Sequence, residues 1–122
     1  MLAVEDDEAV RRLIALALER MGHAVITAAD APEALELART QRFDLLISDV
    51  GLPSGSGLTL VAEIRAVQPH VGVVVVSGSP PRQSVARIAG GDVEILEKPF
   101  GLERLRAAVE EALKAADASS RS

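Results

Sequence analysis

Five times along this chain a short aliphatic run gives way to a stretch with helical spacing, and that alternation restricts the fold more than any other feature. The runs are LAV (2–4), AVITAA (24–29), DLLIS (44–48), VGVVVVS (71–77) and VEIL (93–96); β-branched residues and flanking turn formers mark them as strands. Four of the five are expected to be buried on both faces. Between them run helical stripes: Val10, Leu13, Ile14, Ala17, Leu18 and Met21; then Ala34, Leu35 and Ala38; then Leu58, Val61, Ala62 and Ile64. Leu102, Leu105, Ala108, Val109, Ala112 and Leu113 form the last stripe. Gly22 suits the end of the first helix and Pro32 the first turn of the second. The segment 78–92 carries two prolines and three glycines, so its helix should be short, over about 81–89. Strict β-α alternation with continuous apolar strands predicts an α/β fold: a five-stranded parallel sheet with helices on both faces.

At 122 residues the chain is the length of one domain. Aromatics make up only 2% of it against 48% hydrophobic residues, so Val, Leu, Ile and Ala must pack the core. The expected domain covers 1–116. Residues 117–122 belong to a small, polar segment, KAADASSRS, that reads as a tail or the start of a linker. A net charge of −5 leaves no footprint for a polyanion and argues against direct nucleic-acid binding by this chain. With no cysteine there is neither a disulfide framework nor a thiolate metal site. Acidic residues follow within four positions of Met1, which excludes a signal peptide there, and no apolar run reaches the roughly 20 residues of a membrane span; the expected location is cytoplasmic.

In an open α/β sheet a ligand site lies beyond the carboxyl ends of the strands. Glu5, Asp6 and Asp7 follow the first strand, Ser48, Asp49 and Val50 the third, Ser77 and Gly78 the fourth, and Glu97, Lys98 and Pro99 the fifth. Each has an ordinary reading. Asp6 or Asp7 fits a helix N-cap, Ser77 a strand terminator, and Lys98 a solvated charge. Asp49 is harder to place so, because it closes a buried run and opens the glycine-rich VGLPSGSG. Carboxylates gathered at one edge repel one another unless a cation sits among them, and oxygen ligands without His or Cys favour Mg²⁺. Beside such an ion, an ammonium and a hydroxyl suit the oxygens of a phosphoryl group.

With AVEDDEAVRRL, DLLISDVGLPSGSG, VVVVSGS and EILEKPF, nearly the whole chain resembles the receiver domains of bacterial response regulators in two-component signalling. That resemblance implies a CheY-like sheet in the order 2-1-3-4-5, an order already associated with this fold class. It implies Asp49 as phospho-acceptor, Asp6 as a direct Mg²⁺ ligand, Glu5 as its partner acting through water, and the Gly51 backbone carbonyl as a further ligand. Asp7 then becomes a helix cap. Ser77 takes the place of the hydroxyl that bonds a phosphoryl oxygen, Lys98 that of the charged partner of the phosphate, and the Lys98–Pro99 peptide is expected to be cis. The implied partners are a sensor histidine kinase or a histidine phosphotransfer domain upstream, and an output domain or effector downstream. No separate turnover is expected beyond slow autophosphorylation and autodephosphorylation.

The sequence departs from that pattern at Ile95, where many receivers carry an aromatic residue three positions before the lysine; the chain's only aromatics are Phe43 and Phe100. Small residues at Gly51 and Gly78 should leave the site open to water and shorten the life of a phosphoryl group. The first strand is brief, which suggests a domain cut from something longer. Two other readings compete. A pseudo-receiver that binds partners without phosphorylation would lack the acid pair, the acceptor or the lysine, and all are present. An aspartyl-nucleophile phosphatase would want an acid two residues after the nucleophile, where Gly51 stands.

Overall fold

A computed structural model describes residues 1–52, 55–78 and 93–121, and their side chains apart from 51–52, 55–58 and 118–121. The elements run β1 (Leu2–Val4), α1 (Glu8–Arg20), β2 (Ile26–Ala28), α2 (Ala31–Thr40), β3 (Leu45–Asp49), β4 (Gly51–Leu52), β5 (Gly55–Ser56), α3 (Gly57–Val67), β6 (Gly72–Ser77), β7 (Glu94–Glu97) and α4 (Leu102–Arg121). The helix expected over 81–89 lies outside the described residues. Among the described residues, no helix is long and apolar enough to cross a membrane.

Five parallel strands form the main sheet in the spatial order β2-β1-β3-β6-β7, which is 2-1-3-4-5 when these five are counted along the chain. Successive side chains of a strand leave opposite faces, and here the alternation divides one continuous apolar run between two cores. Leu2, Val4, Leu46, Val73 and Val75 join Ala34 and Ala38 of α2 and Leu60, Val61 and Ile64 of α3. Ala3, Leu45, Ile47, Val74 and Val76 join Ile14, Ala17 and Leu18 of α1 and Leu105, Ala108, Val109 and Ala112 of α4. Each large aliphatic side chain so buried contributes roughly 1.5–3 kcal/mol, so most of the stability lies in these two layers.

Three strands rather than four are covered on both faces: β1 and β3 along their whole length and β6 at every residue but Ser77. β2 and β7 are the edges of the sheet, so their residues are only partly covered. Some members of the helical stripes also face outward. Leu13 is 59% and Leu102 61% exposed, and Ala62 is exposed while its neighbour Leu60 is buried.

The helix ends follow their sequence signals. Asp7 caps α1 by accepting from Val10 N at 3.1 Å, and Asp30 caps α2 by accepting from Glu33 N at 3.2 Å. At the far end of α1, Gly22 has φ +96°, with Gly22 N donating to Glu19 O and His23 N to Leu18 O. This is the paired bonding of a Schellman motif, in the left-handed region where glycine is least strained. The last helix continues to Arg121, in keeping with the high helix propensity of its alanines.

Two contacts lock the end of the sheet from which β3 and β6 begin. Gln68, just past α3, accepts from Phe43 N at 2.8 Å and donates to Ala38 O at 2.8 Å and Gln41 O at 2.7 Å. It thereby satisfies one backbone group in the last turn of α2 and two in the α2–β3 connection. Nearby, a Cβ on Gly72 would meet the Ala112 carbonyl oxygen at 2.7 Å, so α4 lies against β6 at a distance only glycine permits.

Candidate phosphoryl-transfer site

The parallel sheet sends the ends of β1, β3, β6 and β7 toward one edge, which brings Glu5, Asp6, Asp49, Ser77 and Lys98 to the same end of the fold. The registers are continuous: Val4 lies beside Ser48, Asp49 beside Val76, and Ser77 beside Glu97. Carboxylate oxygens of Glu5, Asp6 and Asp49 all come within 4.8 Å of one another. Two of these acids are inside the protein: Glu5 is 1% and Asp49 8% exposed, whereas Asp6 faces solvent.

Lys98 closes the cluster from the other side. Its Nζ donates to Asp49 Oδ2 at 3.1 Å and lies 3.4 Å from Glu5 Oε2. Its own backbone N–H donates to the Ser77 carbonyl at 2.8 Å, and the following Lys98–Pro99 peptide is cis. The lysine and the serine are therefore tied through the main chain as well as placed at one edge. Ser48, whose side chain leaves the opposite side of β3 from the acid, is fully buried and donates its hydroxyl to the Asp49 carbonyl at 3.2 Å.

Electrostatically the arrangement is short of positive charge. Burial pushes the Glu5 carboxyl up to about 7; the Asp7 amide and the Lys98 charge oppose the rise, and the charge and hydrogen bond of Asp49 add to it. For Lys98, desolvation by burial is the largest single influence and works downward. The hydrogen bond and charge of Asp49, joined by Glu5, outweigh it and hold the ammonium above its ordinary value. Glu5 Oε1 accepts from Asp7 N at 3.2 Å, while Glu5 Oε2, buried, accepts no hydrogen bond among the described residues. One ammonium pairs with two of the three carboxyl groups, and the buried Glu5 Oε2 has only the 3.4 Å ion-pair contact with it.

Those features fit a hard divalent cation: three oxygen donors from two strand ends, one with unmet demand, and no imidazole or thiolate among them. Gly51 stands two residues beyond Asp49 in β4, which pairs antiparallel with β5. This small hairpin lies within the glycine-rich stretch that the sequence marks only as a loop.

One further participant is absent from the strand-end reasoning. Arg11, in the second turn of α1, donates from Nη1 to the Glu5 carbonyl at 2.9 Å and approaches the Asp6 carbonyl at 3.5 Å. A cation this near a helix N-terminus runs against the helix dipole, which is the one signal in the sequence that could have found it.

With the geometry in view, three comparisons bear on it. The family model described as "Response regulator receiver domain" matches residues 1–110. The KDP operon transcriptional regulatory protein KdpE of Escherichia coli is 34% identical over 93% of this chain, and Response regulator MprA of Mycobacterium leprae is 36% identical over 93%. The chain spans about half the length of these curated relatives, 51% of KdpE and 50% of MprA. Among solved structures, the receiver domain of NtrX from Brucella abortus superimposes with a TM-score of 0.83 at 34% identity, over 93% of this chain and 97% of that one.

Proposed function

Because the chain belongs to the response regulator receiver domains, phosphorylation-accepting modules of two-component signalling, we propose that Asp49 is its acceptor and that Glu5, Asp6, Ser77 and Lys98 form the machinery around it. The observation that carries this reading is the buried Asp49 carboxylate held by Lys98 Nζ at 3.1 Å inside a three-carboxylate cluster.

The chemistry asks little covalent work of the protein. A carboxylate oxygen of Asp49 attacks phosphorus in line as the N–P bond of a donor phosphohistidine breaks. The O–P bond forms, and the leaving electron pair returns to the imidazole nitrogen. Lys98 offsets the charge of the transferred group as a point charge, and the Ser77 hydroxyl donates to one of its oxygens. Glu5, Asp6, Asp49 and the Gly51 carbonyl would hold Mg²⁺, which supplies charge neutralisation and orientation for the phosphoryl oxygens. The Lys98–Ser77 main-chain bond means that movement of either side chain toward the new group strains a shared segment of β6 and β7.

The upstream partner in this reading is a sensor histidine kinase or a histidine phosphotransfer domain, and the downstream one an output domain or effector. Ile95, partly buried against the α2–α3 core, offers no aromatic ring to swing, so the signal leaves through the backbone at Ser77 and Lys98. Among the described residues a Cβ at Gly78 would meet nothing within 4 Å, which supports ready access of water and a short-lived acyl phosphate.

The test is intact-mass and peptide mass spectrometry after incubation with a small acyl phosphate and Mg²⁺. One phosphoryl group on wild type, absent in Asp49→Asn, is the expected result. A lack of adduct on wild type would favour a phosphorylation-independent interaction module, and turnover of many unrelated phosphate esters would favour a phosphatase. The adduct should decay well within hours; a half-life of many hours in Mg²⁺ would contradict the open-site argument.

A further inference from the structure

We propose that Arg11 is the positioning residue of the acidic cluster: from the second turn of α1 it grips the backbone of Glu5 and Asp6 and fixes where their carboxyl groups can meet a divalent cation. The inference rests on the reading of Glu5, Asp6 and Asp49 as a metal centre.

Two consecutive arginines on α1 behave differently. Arg12 Nη2 pairs with Glu8 Oε1 at 3.1 Å, one turn back on the exposed face, with the two side chains 80% and 68% exposed; such a pair contributes little. Arg11 turns the other way, is half-buried, and reaches five and six residues back to the main chain between β1 and α1. A guanidinium on a carbonyl is a charge-assisted bond, and here one nitrogen, Nη1, makes the 2.9 Å bond to the Glu5 carbonyl and the 3.5 Å approach to that of Asp6.

The connection it holds is short and already fastened elsewhere. Glu5 N donates to Ala28 O at 3.1 Å, Asp7 N to Glu5 Oε1 at 3.2 Å, and Asp7 Oδ1 accepts from Val10 N. The Glu5 carbonyl is held by Arg11 at 2.9 Å, with the Asp6 carbonyl 3.5 Å from the same nitrogen. The two cations near the cluster thus do different work. Lys98 sits on the carboxylate oxygens themselves, whereas Arg11 binds the peptide oxygens behind them. Arg11 therefore brings positive charge toward three crowded carboxylates without occupying an oxygen that a metal ion needs. Partners of this kind, one step removed from the ligands, commonly govern metal affinity by holding the ligands in place.

The experiment is a Mg²⁺ titration of the metal-free chain, followed by backbone amide NMR shifts and by the thermal midpoint at each concentration. Arg11→Met should weaken Mg²⁺ binding about tenfold. Arg12→Met should leave it unchanged, and Arg11→Lys should recover part of the loss because one ammonium can serve one carbonyl. At saturating Mg²⁺ the rate of labelling by a small acyl phosphate should return to the wild-type value in Arg11→Met, an effect on half-saturation rather than on maximal rate. Equal Mg²⁺ affinity in Arg11→Met and wild type, or an equal loss in Arg12→Met, would overturn the proposal. If Arg11→Met fails to fold, Arg11→Gln decides: weakened binding supports the assignment and unchanged binding defeats it. Absence of Mg²⁺ binding by wild type would defeat the metal-centre reading itself, and this inference with it.

Discussion

The two ends of the central sheet are built on opposite terms. Where β3 and β6 begin, polar groups are spent on one another: Gln68 serves three backbone groups, and Gly72 lets α4 rest against the strand. Where the same strands finish, three carboxyl groups crowd together with one lysine paired to two of them, and the buried Glu5 Oε2 makes no hydrogen bond among the described residues beyond its 3.4 Å ion-pair contact. One end is satisfied within the protein. The other carries electrostatic cost that an incoming cation and phosphoryl group can relieve, so substitutions at the two ends should move stability in opposite directions.

The largest effect should come from Gly72→Ala. Its methyl would meet the Ala112 carbonyl, and overpacking of this kind costs about 3 kcal/mol. Urea midpoints should report that loss while labelling of Asp49 persists at low temperature. Next, Gln68→Ala removes three hydrogen bonds and leaves partly buried backbone groups unmatched, for about 2 kcal/mol. Its Mg²⁺ affinity should equal that of wild type; a marked change would mean that the two ends are coupled. Mg²⁺ at ten times its dissociation constant should raise stability by about 1.4 kcal/mol, visible as a higher thermal midpoint that chelation reverses. The smallest shift belongs to Glu5→Gln, which removes a buried charge and should stabilise the metal-free protein by about 1 kcal/mol while weakening Mg²⁺ binding. A fall in metal-free stability would break the contrast.

Much of this was legible in the residues, for reasons that can be located. Aliphatic runs such as DLLIS and VGVVVVS have one stable use, as strands covered on both faces, and the carboxyl ends of those strands then place Asp49 and Ser77 together. What sequence periodicity does not carry is which strand becomes an edge. Four of the five runs read as buried on both faces because their residue types are similar, and the pairing order exposes β2 and β7 as the edges. Bonds from a long side chain to distant main chain are also invisible to motif reading. Arg11 to Glu5, and Gln68 to Ala38, Gln41 and Phe43, depend on where loops pass rather than on spacing. The pairing of Gly51–Leu52 with Gly55–Ser56 was hidden for a related reason, since a two-residue strand has no periodicity to detect.

The approach of α4 to Gly72 also sets what kind of motion that helix can make. A carbonyl of one particular turn is seated over the one residue of β6 that has no side chain, with valines following at each of the next four positions. Of these, Val74 and Val76 face α4 and Val73 and Val75 the other core, so sliding α4 toward the end of β6 would bring its backbone against side-chain volume that Gly72 lacks. The contact at Gly72 therefore fixes the height of α4 along β6.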